Sequence, residues 1–258
     1  MSSLKGKVAL VTGANSGIGF AISEHFASLG ARVVIHGRDE ADAGKAAQRL
    51  RDGGHDAAST GGDLTDPEVC RGIVRFTVEW GGRIDVLVNN AGNTARGYIE
   101  DASVEFWDTM MAVNLRAPFL CLQEAVKSMK THGGGSIVNI GSINAYIGAP
   151  NLGPYSVSKG ALMTMTRNAG AALGKYGIRV NQLNVGWTLT EGEERVQRES
   201  GHDEGWVEKA IGMAPFGRLL TPNEVARAAE YFASDQSAIV NGSVLDVEQY
   251  PIGAPAEF

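Results

Sequence analysis

Lys7-Val-Ala-Leu-Val-Thr12-Gly13-Ala-Asn15-Ser16-Gly17-Ile18-Gly19 is a short apolar run that breaks into a glycine-rich turn. A helical pattern follows to Leu29, and a second apolar run, Ala31-Arg-Val-Val-Ile-His36, comes after it. Strand, turn, helix, strand is a βαβ unit. Glycines at 13, 17 and 19 let the backbone turn sharply and come close to a ligand, and the N-terminus of the next helix offers free N–H groups to a pyrophosphate. The other reading is a helix cap with incidental glycines. The strand–helix context favours a nucleotide site. Gly37-Arg38-Asp39 follows the second strand. An acid here binds a ribose 2′-hydroxyl, whereas a guanidinium suits a 2′-phosphate, so Arg38 points to NADP, with NAD left open. Arg38 solvated, or paired with Asp39, is the alternative.

Working outward, the same alternation continues. Residues 40–52 form a polar helical pattern, and a strand ends at Gly62-Asp63-Leu64. Thr65-Asp-Pro67 starts a helix to about Trp80. The strand Ile84-Asp-Val-Leu-Val-Asn89 feeds Asn90-Ala91-Gly92. Residues 103–131 give the longest helical pattern. Asn114 sits inside it, a poor helix former that needs partners if buried. A solvent-accessible irregularity is the alternative. The strand Ser136–Gly141 leads to Ser142, helix 154–175 follows, and further strands lie at 178–183 and 243–247 with a helix from Pro222 to Ser234 between them. Alternating strands and helices predict a single α/β domain over residues 1–258. Its expected core is a doubly wound parallel sheet of about seven strands, with helices on both faces. Ligands then bind beyond the carboxyl ends of the strands. The turn at Thr12–Gly19, Arg38, Asp63, Asn90, Ser142 and Val185 all fall at those ends.

Tyr155 and Lys159 open the helix after Pro154. Residues four apart share a helix face. A nearby cation favours phenolate and lowers a tyrosine's pKa from about 10, giving a general acid/base that works nearer neutral pH. The Ser142 hydroxyl could bond the same substrate oxygen. An ordinary surface pair is the alternative. Residues 188–215 are polar, with glycines interrupting short helical runs, and are expected to form a lid over the pocket. Glu191, Glu193 and Glu194 crowd it, either as solvated helix charge or beside a polar substrate.

Composition narrows the partners. The 258 residues carry a net charge of −6 and no basic stripe, which argues against nucleic acid. Cys70 and Cys121 read as reduced core thiols. No charged-then-apolar leader or 18-residue apolar run occurs, so a cytoplasmic chain with no membrane partner is expected. The five histidines lack metal-ligand spacing, and no metal is expected.

Taken together, Thr12-Gly13-x-x-x-Gly17-Ile18-Gly19, Asp63, Asn89-Asn90-Ala91-Gly92, Asn114, Ser142 and Tyr155-x-x-x-Lys159 resemble the short-chain dehydrogenase/reductase family across nearly the whole chain. The resemblance implies a catalytic tetrad of Asn114, Ser142, Tyr155 and Lys159, an NAD(P) cofactor and a small carbonyl or alcohol substrate. It places the cofactor against the glycine turn with Asn15, Ser16 and Ile18. Asp63 and Leu64 would hold the adenine, with Asn90, Ala91 and Gly92 near the ribose. Val185, Gly186, Thr188 and Thr190 would follow, with Thr190 on the nicotinamide carboxamide. Tyr155 would protonate the carbonyl oxygen, Lys159 would lower its pKa and hold the ribose, and Asn114 would keep a water. The family's Pro-Gly is replaced by Val185-Gly186-Trp187, and its Gly-Gly after a final-strand Asp is replaced by Val247-Glu248-Gln249. Both departures lie on the substrate side. Ser142, Asn144, Tyr155 and Trp187 are the substrate candidates, a sugar, polyol or small ketone being the guess. Asn93 and Asn151 would also suit a hydroxyl-rich substrate. The resemblance further implies a homo-oligomer, often a tetramer, paired through helices 103–131 and 154–175, with tight packing on the protein's own sheet the alternative. The C-terminal tail is a candidate to reach a neighbour's pocket. A non-catalytic nucleotide sensor is the competing reading.

Overall fold

The computed structural model describes residues 3–201, 203 and 205–250. The apolar runs Val8–Val11 and Val86–Asn89 become fully buried strands because helices cover both faces of the sheet. Seven parallel strands run in the order β3-β2-β1-β4-β5-β6-β7. They are β1 (Val8–Val11), β2 (Arg32–Gly37), β3 (Ala57–Gly61), β4 (Val86–Asn89), β5 (Gly135–Ser142), β6 (Ile178–Val185) and β7 (Val244–Val247). The order reverses between β1 and β4, so a crevice opens beyond their carboxyl ends.

Period-two alternation sorts the side chains into two cores. Ala9, Val11, Val33, Ile35, Val88 and Val138 point to one side, where α1 (Gly17–Ser28), α2 (Glu40–Asp52) and α9 (Pro222–Ala233) pack. Leu10, Val34, Leu87, Ile137 and Val180 point to the other, against α3 (Pro67–Gly81) and α5 (Ala117–Thr131). Cys70 and Cys121 are buried free thiols between those two helices. The polar residues Asn139, Gln182 and Asn184, all fully buried, interrupt the apolar pattern of β5 and β6. They are satisfied in a side-chain chain: Asn89 Nδ2 donates to Asn139 Oδ1 (2.8 Å), Asn139 to Thr166 (2.8 Å), Gln182 to Asn184 (2.7 Å) and Asn184 to Asp246 (3.1 Å).

The expected single helix over 103–131 is three segments. α4 (Val104–Met111) passes through a π-helical stretch, Ala112–Arg116, into α5. Asn114 is the middle residue of that stretch and is completely buried, so the solvent-accessible alternative is ruled out. The catalytic-candidate helix α6 spans Gly153–Leu173. The expected lid contains α7 (Glu191–Glu199) and α8 (Trp206–Met213), separated by Gly201 at φ +82°. The C-terminal tail expected to reach a neighbouring pocket lies, beyond Tyr250, outside the described residues. No helix among the described residues is long and apolar enough to cross a membrane, and no group of three metal-ligating side chains is placed to hold an ion.

Candidate active site

The central strands deliver candidates at their carboxyl ends. Ser142 ends β5, Asn89 ends β4 just before Asn90, and Val185 ends β6. Across the crevice, α6 presents Tyr155 and Lys159 on one face, with Lys159 Nζ 5.7 Å from the Tyr155 ring centre. Both are buried, Tyr155 at 9% and Lys159 at 4% exposure. Ser142 Oγ accepts from the Asn144 backbone N–H and from Asn144 Nδ2 (both 3.2 Å), and hydrogen-bonds the Tyr155 hydroxyl. Two donors already fill its lone pairs, so its own proton is the one given to the Tyr155 oxygen.

The electrostatics correct one expectation. Burial pushes the Tyr155 phenol above its ordinary value, and the Ser142 bond and the Arg96 charge offset this only in part, with Glu193 adding to the rise. Lys159 does not supply the predicted lowering. Its ammonium donates to the Ile140 carbonyl oxygen (2.9 Å), and burial pulls its own pKa down to about 8. It is aimed at the strand, beside the ring rather than at the phenol oxygen.

Asn114 works as a strut. Its Oδ1 accepts from the Asn93 N–H (2.7 Å), and its Nδ2 lies 3.0 Å from the Asn93 carbonyl oxygen, the Met110 sulfur and Ser158 Oγ. Ser158 in turn donates to the Tyr155 carbonyl oxygen (2.6 Å). The π-helical stretch therefore ties the loop after β4 to the first turn of α6.

The expected cofactor edge is assembled around the turn after β1. Gly13 and Gly17 adopt φ values of +59° and +56°. A Cβ on Gly13 would lie 2.8 Å from the Ala91 Cα, and one on Gly19 would lie 2.3 Å from the Gly13 carbonyl oxygen. Over Gly17 the space is open, with only Thr190 side-chain carbons at 3.7 Å. Ser16 precedes α1 without capping it through its side chain, so the first-turn N–H groups face that space. Asn90 spends both amide hydrogens on the Thr12 and Gly13 carbonyl oxygens (2.9 Å each), pinning the turn to the tip of β4. Asp63 accepts from the Thr65 N–H (2.8 Å), which holds its carboxyl below the usual range, with Arg38 and His36 adding to the effect. Leu64 is buried beside it. Arg38 stands exposed after β2, while Asp39 caps α2 through the Asp42 N–H (3.0 Å).

A family model described as enoyl-(acyl carrier protein) reductase matches residues 13–249. An uncharacterised oxidoreductase of Thermotoga maritima is 40% identical over 95% of this chain and 96% of its own length. The NADP-dependent (R)-specific alcohol dehydrogenase of Lentilactobacillus kefiri is 36% identical over 95% and 96%. The chain is a short-chain dehydrogenase/reductase. It is an oxidoreductase of that family, whose members act on CH–OH groups. A solved structure from Beutenbergia cavernae, provisionally described as an NAD(P)-dependent gluconate 5-dehydrogenase with NADP at low occupancy, is 34% identical. It superposes with a TM-score of 0.88 over 96% of this chain and 97% of that one.

The residues of this dehydrogenase/reductase fit a nicotinamide dinucleotide. The unfilled space over Gly17 and the uncapped first turn of α1 form a cradle of N–H donors, the kind of site a pyrophosphate requires. Thr190 borders it, though its hydroxyl caps α7 by accepting from the Glu193 N–H (3.0 Å), while Thr188 donates to the Gly186 carbonyl oxygen (3.1 Å). Gly186 packs against the Glu248 carboxylate, which a Cβ there would push aside. Trp187 does not lie free over the crevice. Its indole N–H donates to Glu193 (2.9 Å), and its ring stacks on Trp206 at 5.8 Å.

Sequence reasoning missed three contributors. His36, in an apolar strand, bridges the cofactor turn: Nδ1 accepts from the Gly13 N–H (3.3 Å), so Nε2 carries the proton donated to the Gly62 carbonyl oxygen (3.0 Å). Burial lowers its pKa and keeps it neutral. Ser158 is the second, hidden because its role exists only through Asn114. Arg96 is the third, and its position in the loop beyond a strand's carboxyl end was a readable signal.

Proposed function

We propose that this chain transfers a hydride between NADP(H) and a small carbonyl/alcohol substrate, a sugar, polyol or small ketone, with Tyr155 as general acid/base. One observation carries the reading: Tyr155 and Lys159 sit buried on one face of α6, facing the carboxyl ends of the strands, with the Tyr155 hydroxyl on Ser142. The nicotinamide supplies the hydride chemistry. Tyr155, held protonated at neutral pH by burial, donates its proton to the carbonyl oxygen in reduction and recovers it in oxidation. Ser142, its lone pairs taken by Asn144, orients the same oxygen. Lys159 holds the ribose hydroxyls and, with a pKa of about 8, passes protons inward.

The choice of NADP rests on Arg38, exposed where a 2′-phosphate would sit, with Asp39 committed to its cap. The named cofactors of the Lentilactobacillus and Beutenbergia proteins support it. The description of the latter supports a sugar-type substrate. Residues 188–215 act as the lid over a single catalytic domain, and the buried thiols Cys70 and Cys121 suit a reducing, cytoplasmic compartment.

A panel of carbonyls and alcohols, followed at the reduced-nicotinamide absorbance band with both cofactors, tests the reading. NADP(H)-linked turnover is expected. Arg38→Ala should weaken NADPH binding by about 10-fold or more, the worth of a charge-assisted contact, and leave NADH nearly untouched. Equal losses for the two cofactors would overturn the NADP assignment.

A further inference from the structure

Arg96 is the one charged side chain that the loop after β4 carries to the catalytic tyrosine, and the functional reading above leaves it without a task. The loop is fixed at both ends. Asn93 is held by Asn114 (2.7 Å), Ala95 donates back to Asn93 Oδ1 (3.0 Å), and the Gly97 N–H donates to the Asn151 carbonyl oxygen (2.8 Å). Gly97 forms a bridge with Leu152, and Ala95 and Leu152 pack in one cluster with Tyr155 and Met110. The guanidinium is therefore placed by its backbone, and its charge is felt by the Tyr155 phenol.

Its present partner is replaceable. Arg96 Nη2 meets Glu193 Oε1 at 3.2 Å through one nitrogen, with Nη1 at 3.4 Å from the Thr94 carbonyl oxygen, so the fork is not used in a two-pronged contact. Glu193 does not depend on Arg96. The same Oε1 accepts from Trp187 (2.9 Å) and from Gln197 (2.6 Å), and Glu193 lies in the first turn of α7, where the helix dipole favours a negative charge. Losing the arginine leaves Glu193 with two donors. Losing Glu193 leaves Arg96, with its side chain only 23% exposed, facing the crevice with no anion. A partly buried guanidinium needs one.

We propose that Arg96 receives an anionic group of the substrate, a carboxylate or a phosphoryl, and that Glu193 occupies this position until the substrate displaces it and α7 shifts. The proposal rests on the oxidoreductase reading and narrows its substrate to hydroxy or oxo acids and their phosphoryl counterparts. Arg96 is then the specificity-determining residue, and the Glu193–Trp187–Gln197 knot makes lid position report on whether the anion is bound.

The test uses the whole protein saturated with NADPH, a complex that binds alcohols without reacting. Calorimetry compares matched pairs differing at one end: gluconate with glucitol, lactate with propane-1,2-diol, and 3-hydroxybutyrate with butane-1,3-diol. Glucitol 6-phosphate separates phosphoryl from carboxylate. At least one anion should bind about 10-fold or more tightly than its neutral partner. Arg96→Gln should remove that advantage, by about 10- to 100-fold, while leaving the neutral partner and NADPH unchanged, and Arg96→Lys should restore only part of it. Glu193→Gln should tighten the anion. Equal binding of both members of every pair, or an equal loss of both in Arg96→Gln, would overturn the proposal. If anions bind through Arg96 but neither member is oxidised when NADP or NAD is supplied, the oxidoreductase reading fails and the anion site stands.

Discussion

At the scale of the residue, the pair at the centre behaves differently from its free components. A lysine with an ordinary value of 10.5 is brought to about 8 by burial, so the folded protein binds one proton fewer than the unfolded chain between those values. Stability linked to Lys159 therefore rises as pH climbs from about 8 towards 10.5, and below 8 the full penalty of a buried ammonium is present. On that basis Lys159→Met should stabilise the protein at pH 7 by about 1–3 kcal/mol and lose turnover. The difference from wild type should shrink to near zero above pH 10.5. Chemical denaturation of both proteins at pH 7 and pH 10.5 checks this, and a lysine variant that is less stable at pH 7 would show that the Ile140 contact outweighs burial. The Tyr155–Lys159 spacing was legible in the sequence because a helix puts residues four apart on one face. The direction of the phenol's shift was not, since it is set by how deeply the fold buries the ring, with Lys159 Nζ drawn to the Ile140 carbonyl oxygen.

At the scale of the element, β-strand ends and glycine turns were legible, since apolar runs that stop at Gly or Asn mark the crevice side of the sheet. Asn114 was legible as an anomaly, and its cause was not, because the π-helical stretch is fixed by partners 21 and 44 residues away in the sequence. Buried Asn139, Gln182 and Asn184 were equally hidden, as polar residues satisfied by Asn89 on the neighbouring strand, by Thr166 on α6 and by one another along β6. Asn114→Ala would leave the Asn93 N–H without its acceptor and free the loop that carries Arg96. It should cost about 1–3 kcal/mol in thermal unfolding, the range for an orphaned buried donor, and reduce turnover. Asn114→Asp keeps the acceptor and should recover part of the stability. An unchanged melting temperature in the alanine variant would mean that the π-helical stretch is held by other contacts.

At the scale of the molecule, the sheet order places the glycine turn, the β4 tip and Ser142 along one edge, so distant stretches of sequence share one site. The outer face of the α4–α5 segment and α6 is a groove lined by Met111, Leu115, Phe119, Ala161 and Met165, with Phe119 at 43% exposure. We propose that a second copy covers the apolar part of this groove; the outcome expected by light scattering is then a tetramer, with Phe119→Glu shifting it to smaller species. The central claim is that the buried phenol at the carboxyl edge is the proton donor for hydride transfer. Tyr155→Phe removes only its oxygen. Single-turnover oxidation of bound NADPH by a carbonyl substrate should fall by about 10²–10⁴-fold in this variant, with NADPH affinity unchanged. A variant that keeps most of the wild-type single-turnover rate would contradict the account.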